Sequence, residues 1–348
     1  MRRSPLGLVV AAALAVLLAA AGCTGGGRPG AAPARSHGGG QPGPAGGSAA
    51  GTPAPADALD GLFAVTIDNQ AGARPQSGLD QAEMVWEVPA EGYITRFEAF
   101  FQSRAPDRIG PVRSARPYLA AIAAGYGAVL VHAGGSQAGF AAIRALGLPQ
   151  IDGLFPPGQR YLWRDPTRRA PHNLYTSGTE LRRATADLGL RPERLALPRG
   201  PAPAGGEPAS QLRLHYLTSG ADRNLILWTY RDGSYERALN GEPFRLREGA
   251  AVRAGNVVVL LTDIRRLPGK EGYLDVRLAG TGQAWFLRDG RLWQGRWSKP
   301  SQAAPVSFEI RSGDGWRPFP WAPGAIWVQV VGDPHALGFG SASSGPGS

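Results

Sequence analysis

The stretch from Glu83 to Arg116 carries several of the side chains that could do chemistry in this chain. A pair of carboxylates can supply the general acid and the general base of a glycosidase-type hydrolase. Guanidinium groups instead bind carboxylate and phosphate groups in a forked geometry. The acids that could serve in hydrolysis, with one histidine as a further proton carrier, are Glu83, Glu87, Glu91, Glu98, Asp68 and His172. The residue types therefore leave two functions open, a cell-wall-directed hydrolase and a binding protein.

The binding hypothesis rests on the density of arginine among amide, hydroxyl and imidazole groups in residues 58–199. Such a mixture suits an anionic or polar ligand, because every one of these groups can donate a hydrogen bond to oxygen. The candidate ligand-binding residues are Asp68, Asn69, Arg74, Gln76, Glu87, Arg96, Arg113, Ser114, Arg116, His132, Ser136, Arg164, His172 and Asn173. We favour binding over catalysis and assign no catalytic residue.

Two arginines at a predicted helix start form the most specific candidate site. Arg113 and Arg116 lie three residues apart, and we expect Ser114 to cap the helix that follows over residues 118–124. A helix N-terminus attracts anions through its free N–H groups and its dipole, so both arginines could hold one anion there. The alternative is that they pair with Glu87, Glu91 or Asp107 and only hold the loop in place.

A nucleophilic serine and a metal site are weaker hypotheses. Ser136 follows a predicted strand and a glycine turn and precedes a helix, as the serine of a nucleophile elbow does, but Ala138 stands where that motif has glycine. Metal ligands could come from His132, His172, Asp68 or Asp165, whose spacing matches no metal-binding motif. We expect neither a metal ion nor a cofactor.

A β-hairpin is predicted to position the charged stretch. Residues 84–88 and 93–101 alternate in the strand period, and residues 89–92 supply the turn. With Val88 opposite Tyr93, apolar and charged side chains separate onto two faces, and a slip of one residue would mix them. This register surrounds Arg96 with the carboxylates of Glu83, Glu87 and Glu98. The charged face is then either exposed to solvent or part of the main pocket.

The remaining patterns of residues 58–199 indicate an α+β domain with a mixed sheet. Strand patterns cover residues 62–69 and 128–132. A glycine turn that ends at Ser136 leads into the capped start of a helix over residues 137–146, and the capping box from Ser177 to Glu180 opens another that ends near residue 188.

Residues 200–210 form a Pro/Gly/Ala-rich linker, and residues 211–333 are predicted to form a mainly antiparallel, β-rich C-terminal domain. The hairpin turn dipeptides of this domain are Asp232-Gly233, Asn240-Gly241 and Asp289-Gly290. Its tryptophans are expected in the core, namely Trp228, Trp285, Trp293, Trp297 and Trp327. Residues 334–348 are predicted to be a disordered tail.

The N-terminus has the features of a secretory signal peptide over residues 1–22: a short basic head, an apolar core and small residues before Cys23. Cys23 is the only cysteine of the chain and follows Ala20-Ala21-Gly22, as in the lipobox of bacterial lipoproteins. We therefore expect Cys23 to be lipidated and residues 23–57, which are rich in Gly and Pro, to be a disordered tether. The folded part then has no thiol, which excludes disulfides and a cysteine nucleophile.

The charge pattern does not indicate nucleic acid. The formal net charge is +10, but the arginines are scattered and usually neighbour acids rather than forming a basic stripe. We expect the protein to be held by its lipid anchor on the extracytoplasmic face of the bacterial cell membrane. Its basic character favours an anionic envelope ligand or an envelope protein as a partner.

Several segments resemble the YerB-like bacterial lipoproteins, a family with domains of unknown function. The resemblance runs in order over about residues 59–332, and the segments that carry it are 67–69, 74–79, 91–96, 109–116, 132–136, 171–173, 255–258 and 323–328. It implies an α+β layered sandwich and an envelope lipoprotein. It brings no established catalytic residue.

Overall fold

The computed structural model describes residues 58–216, 224–269 and 271–341, which belong to one compact unit. The predicted signal peptide, the lipidated Cys23 and the predicted tether lie outside the described residues. No helix among the described residues is long and apolar enough to cross a membrane.

Three α-helices occur in the described residues. They are α1 (Pro117–Gly125), α2 (Gln137–Ala145) and α3 (Gly178–Leu188). The side chains of Ser136 and Ser177 accept hydrogen bonds from the third backbone N–H beyond them, which confirms both predicted caps. The cap predicted at Ser114 is wrong, because α1 begins only at Pro117 and Arg116 occupies the cap position without a side-chain bond. Short 3-10 turns cover Ala71–Ala73, Leu79–Gln81, Glu91–Tyr93, Gly158–Tyr161 and Pro334–Ala336.

The strands fall into an N-terminal and a C-terminal set. The N-terminal strands are β1 (Phe63–Asp68), β2 (Met84–Ala90), β3 (Ile94–Phe101), β4 (Val129–His132), β5 (Gln150–Asp152), β6 (Trp163–Arg164) and β7 (Leu174–Tyr175). The C-terminal strands are β8 (Glu207–Pro208), β9 (Gln211–Tyr216), β10 (Asn224–Arg231), β11 (Ser234–Leu239), β12 (Glu242–Pro243), β13 (Arg253–Ala254), β14 (Asn256–Leu261), β15 (Ile264–Arg266), β16 (Leu274–Val276), β17 (Gly280–Arg288), β18 (Arg291–Lys299), β19 (Ser307–Ser312), β20 (Gly315–Pro318), β21 (Ile326–Val331) and β22 (Leu337–Gly340).

One large mixed sheet forms the middle layer, in the order β20-β19-β18-β17-β14-β21-β2-β3-β1-β4-β5, with β8 paired to β18. A second, antiparallel sheet in the order β12-β11-β10-β9-β22, with β13 on β11, packs on one face of the large sheet together with α3. Helix α1 covers the other face. The predicted fold class, an α+β layered sandwich with a mainly antiparallel C-terminal part, is confirmed.

The hairpin of β2 and β3 differs from its predicted register. Val88 lies opposite Arg96, not opposite Tyr93, and the connecting turn covers Glu91–Tyr93. The register is shifted by three residues. Because this number is odd, each side chain of β3 shares a face with the other set of β2 side chains than predicted. Both strands lie in the interior of the sheet and are buried on both faces, so neither face of the hairpin is exposed to solvent. Arg96 therefore does not share a face with Glu87.

The C-terminal patterns were predicted well at the turns. Asp232, Asn240 and Asp289 adopt positive φ before their glycines and join successive antiparallel strands, which confirms the three hairpin turns. All five tryptophans expected in the core are buried. The tail predicted to be disordered instead contains β22, which pairs with β9.

Strands from both sides of the predicted linker share the large sheet, since β2 pairs in parallel with β21. Within the linker, Glu207–Pro208 pairs with β18. A division into two domains near residues 199–210 stays a prediction.

Candidate functional site

The C-terminal end of β1 positions the candidate site. The segment of residues 109–115 runs alongside this end, with Asp68 N donating to Pro111 O at 2.9 Å and Arg113 N donating to Thr66 O at 2.8 Å. On its other side, Val112 N donates to Leu174 O at 2.7 Å. This ladder holds a basic loop between β1 and β7, so side chains from three distant parts of the chain meet there.

Asp68 connects two of the predicted ligand-binding residues. Its carboxylate is fully buried, and Oδ2 lies 2.7 Å from His172 Nδ1 and 2.9 Å from Arg113 Nε. The contact with Arg113 is an ion pair by distance but lacks the alignment of a hydrogen bond. His172 Nε2 has no hydrogen-bond partner among the described residues. Both side chains remain partly exposed, so Asp68 orients them at the surface.

Glu91 connects the two remaining arginines of the hairpin and the loop. Its Oε1 lies 3.3 Å from Arg96 NH2 and also accepts from Arg116 NH2, while Arg116 Nε donates to Oε2 at 3.1 Å. Burial opposes ionisation of this carboxyl, but the hydrogen bond from Arg116 and the charges of both arginines lower the pKa of Glu91 to about 2. Arg96 NH1 also donates to Ser114 O at 3.2 Å. The loop-holding interpretation of Arg116 is therefore supported by this geometry.

A third carboxyl, Glu98, lies in a buried setting that favours its protonated form. It is fully buried on the same face as Arg96, and Thr66 Oγ1 donates to its Oε2 at 2.8 Å. Burial raises the pKa of Glu98 to about 8, against smaller effects of Thr66 and Arg96. Glu98 Oε1, Arg96 Nε and the Tyr118 hydroxyl are buried without a hydrogen-bond partner among the described residues.

These side chains form what we call the arginine cluster: Arg96, Arg113 and Arg116 with Asp68, Glu91 and His172. Three guanidinium groups face the carboxyl groups of Asp68 and Glu91, so the formal charge of this set of side chains, with His172 neutral, is one positive unit. A buried or half-buried excess charge is costly unless an anion or solvent compensates it. The arrangement is therefore suited to a negatively charged group.

Glu87 belongs to a separate network on the opposite face of the sheet. Arg237 NH2 donates to its two carboxylate oxygens at 3.0 Å and 3.1 Å, and both side chains are fully buried. Thr95, Trp327 and Gln329 also donate to this carboxylate. Glu87 therefore joins the large sheet to the second sheet and does not face the arginine cluster.

The polar residues after β1 support the backbone between these two sites. Asn69 donates to Thr95 Oγ1 at 2.7 Å, and its Oδ1 accepts from Arg74 Nε and from Gln76 Nε2. Gln76 also donates to Asp68 O at 2.9 Å. These three side chains hold the loop that follows Asp68, and Asn69 and Gln76 are buried.

Two further candidate residues bind each other in the long loop before β7. Arg164 NH1 donates to Asn173 Oδ1 at 2.8 Å, and Asn173 Nδ2 donates to backbone carbonyl groups of the same loop. Asp165 pairs with Arg108 and Arg247. These contacts close the loop upon itself.

His132 and Ser136 have structural partners. The ring nitrogens of His132 lie 2.8 Å from Gly134 O and 2.7 Å from Gln150 Oε1, and Ser136 Oγ accepts from Gly139 N. The structure therefore gives Ser136 the role of a helix cap. No group of three metal-ligating side chains occurs among the described residues. His132 pairs with Asp152, whereas His172 pairs with Asp68, so the two histidines do not share one carboxylate.

Several functional neighbours lay beyond sequence reasoning. Arg237, Tyr216 and Gln329 approach Glu87 from strands more than 100 positions away, and no local motif indicates this contact. Arg168 donates to the carbonyl groups of Gly72, Arg74 and Pro75, which fixes the loop beside His172. In the sequence, only the arginine content of residues 160–169 could have suggested this role of Arg168.

Two family models, one relative and one solved structure match this protein over most of its chain. Family models for the N-terminal and C-terminal domains of a protein of unknown function, DUF3048, match residues 50–191 and 213–328. A Bacillus subtilis protein named "Putative lipoprotein YerB" is 31% identical over 291 residues, which cover 82% of this chain and 84% of the relative. The crystal structure of the YerB protein from Bacillus subtilis superposes with a TM-score of 0.72 at 28% identity, over 82% of this chain and 95% of that chain.

Proposed function

Since the chain belongs to the DUF3048 family, whose function is unknown, we propose that it is a lipid-anchored protein of the cell envelope that binds an anionic ligand at the arginine cluster. It is held on the extracytoplasmic face of the bacterial cell membrane through Cys23. The ligand carries phosphate or carboxylate groups, which guanidinium forks recognise. The single observation that carries this proposal is the excess of one positive charge in the arginine cluster.

The binding edge lies at Arg113 and His172 rather than at Arg116. The Arg113 side chain is 25% exposed and that of Arg116 is 10% exposed, so Arg113 is the guanidinium that a ligand reaches first. Gly72 lies against His172: a methyl group at this position would sit 3.1 Å from Cδ2 and 3.3 Å from Nε2 of the ring. The glycine thus leaves the imidazole edge open to a second contact with the anion.

Binding is favoured over the carboxylate hydrolase because the glutamates do not assemble. Glu87 is on one face of the sheet and Glu98 on the other, and Glu83 accepts from the backbone of Gln102 and Ser103. Glu91 is held ionised between two arginines, which suits neither a general acid nor a base at neutral pH. A glycosidase needs two carboxyl groups that flank one bond, and these four do not converge on a common point.

Inorganic phosphate, or an anionic cell-wall fragment, should raise the melting temperature of the protein, and Arg113→Ala should abolish this shift. A ligand at about one hundred times its Kd stabilises a protein by about 2.7 kcal/mol, which corresponds to roughly 5 °C or more for a chain of this size. Differential scanning fluorimetry measures the shift. Gly72→Ala should weaken it as well, since the added methyl covers the His172 ring without changing any charge.

Arg265→Ala is the matched control for the anion site. Arg265 forms an exposed ion pair with Asp263 on the hairpin of β15 and β16, so its loss removes one positive charge away from the arginine cluster. The shift should persist in this variant. A shift that survives Arg113→Ala, or its absence with every anion tested, would contradict the proposed site.

Cys23 should be the first residue of the mature protein and should carry acyl chains. Two or three acyl chains anchor a protein stably, whereas one chain gives only marginal binding. Mass spectrometry of protein extracted from membranes measures both the cleavage point and the added mass. A protein that begins at another residue, or that lacks acyl groups, would contradict the lipid anchor.

A further inference from the structure

The loop between β5 and β6 exposes an unusual concentration of large apolar side chains. Leu154, Phe155 and Trp163 are exposed to 41%, 57% and 37%, and they are three of the five large apolar side chains with such exposure in the part of the chain that the structure describes. Contiguous exposed apolar groups mark interaction surfaces, whereas isolated ones need no explanation. We call residues 153–169 the exposed loop.

The exposed loop is held rigidly, so its apolar side chains are presented rather than frayed. Tyr161 is fully buried, and its hydroxyl donates to Asp187 of α3 at 3.0 Å. Gln159 N donates to Phe155 O at 3.0 Å, and Leu154 N donates to the Asp152 carboxylate at 3.0 Å. An ordered turn that keeps Leu154 and Phe155 in water loses the free energy that burial would supply. This pattern is typical of a surface that is covered by another phase or molecule.

The same loop carries positive charge that the protein does not neutralise. Its arginines are Arg160, Arg164, Arg168 and Arg169, and none of them forms an ion pair with a carboxylate among the described residues. Its single acid, Asp165, is already paired with Arg108 and Arg247 from outside the loop. Outside the loop, some arginines are paired, as Arg253 is with Glu236 and Arg296 with Glu309. The exposed loop therefore combines apolar, aromatic and unneutralised cationic groups.

We propose that the exposed loop docks on the anionic phospholipid surface of the membrane to which the chain is anchored. Phe155 and Leu154 enter the boundary between head groups and acyl chains, Trp163 lies at the level of the head groups, and the exposed Arg160 and Arg169 contact lipid phosphates. The proposal goes beyond ligand binding at the arginine cluster and rests on the proposed lipid anchor. A lipid surface suits this loop because its own exposed charged side chains are arginines and its exposed apolar side chains include an aromatic anchor, Trp163.

The position of the tether favours this occupant. The described chain begins at Ala58, whose carbonyl accepts from Arg182 of α3 at 3.2 Å, and the next residue, Arg183, donates to Arg160 O in the exposed loop at 2.7 Å. A flexible Gly-rich chain with the length of residues 24–57 has an end-to-end distance of roughly 30–35 Å. The predicted tether therefore joins the described chain at the helix that also holds the exposed loop, and its length keeps the loop within reach of the membrane, where even a weak contact is populated.

The test uses the lipidated protein in vesicles of phosphatidylglycerol and phosphatidylcholine. Acylation of Cys23 leaves no free thiol, so Phe155→Cys can carry an environment-sensitive fluorophore, and Trp316→Cys carries the same fluorophore as the control. Trp316 is exposed on β20, at the opposite edge of the large sheet from β5. Lipid-borne nitroxides should quench the fluorophore at position 155 at least about twofold more strongly than the fluorophore at position 316. Equal quenching would overturn the proposal.

Two further measurements distinguish the contribution of charge to docking from the contribution of the lipid anchor. Vesicles of phosphatidylcholine alone, or Arg160→Glu with Arg169→Glu, should reduce the quenching at position 155 to the level at position 316. Unchanged quenching in both would contradict recognition of anionic lipid. Flotation with the vesicles tests the lipid anchor separately from docking. If the chain floats but positions 155 and 316 are quenched equally, the anchor stands and docking of the exposed loop is refuted. If the chain neither floats nor is quenched, both the anchor and the docking are refuted.

Discussion

Replacing Arg237 with methionine is expected to lower the free energy of unfolding by about 3–5 kcal/mol. Arg237 is the only cationic partner of the fully buried Glu87 carboxylate among the described residues. Methionine keeps much of the side-chain volume that packs against Phe244, whose ring centroid lies 4.2 Å from the guanidinium carbon. The loss therefore isolates the charge, which the remaining donors cannot neutralise. Urea unfolding of the purified variant measures the change.

Two comparison variants make this prediction specific to the buried pair. Glu87→Gln combined with Arg237→Met should cost less than Arg237→Met alone, because no uncompensated charge then remains in the interior. Arg253→Ala removes an exposed ion pair with Glu236 from the neighbouring strand pair and should cost below about 1 kcal/mol. If Arg237→Met costs no more than Arg253→Ala, the Glu87 network does not join the two sheets in the way described.

Above pH 4.5, the free energy of unfolding should fall with rising pH because of Glu98, and Glu98→Gln should remove this fall. The pKa of Glu98 is raised by burial from an ordinary value of 4.5 to about 8. Between these values the folded protein keeps the proton that the unfolded chain releases, so stability decreases by up to about 1.4 kcal/mol for each pH unit. The slope ends near pH 8, where the folded carboxyl ionises as well.

The matched control is Glu309→Gln, which removes a partly exposed acid paired with Arg296 on β18. This variant should keep the slope of the parent protein, whereas Glu98→Gln, which resembles the protonated acid, should flatten it. Unfolding by urea at several pH values between 5 and 8 measures both slopes. Glu91 acts in the opposite sense, since its lowered pKa contributes stability that is lost only as the pH falls from 4.5 toward 2. A parent protein with a flat profile would contradict a protonated Glu98.

The geometry of the arginine cluster assigns different roles to its two loop arginines, loop holding to Arg116 and anion binding to Arg113. Arg116 is held by Glu91, so it fixes the loop, whereas Arg113 retains an exposed side chain beside Asp68 and His172. The helix start that was expected to complete the anion site lies one residue beyond Arg116 and has no capping side chain. An anion at this site is therefore recognised mainly by Arg113 and the imidazole edge, and less by the helix.

Local features were determined by the sequence itself. The Asp-Gly and Asn-Gly turns and the caps at Ser136 and Ser177 were predicted correctly. Each of them depends on a few contiguous residues: a glycine that accepts positive φ, or a hydroxyl that reaches an N–H three positions ahead. The layered α+β fold and the family followed from such patterns and from the resemblance.

Only the tertiary structure decided the partners of the charged side chains. The predicted register of β2 and β3 is wrong because it separates apolar from charged side chains onto two faces, while neighbouring strands and packed layers bury both faces. Arg96 therefore meets Glu91 in the turn, and Glu87 meets Arg237 at a separation of 150 positions. Ion pairs of this kind depend on which strands become neighbours. That order is set by packing of the whole chain, and no local pattern encodes it.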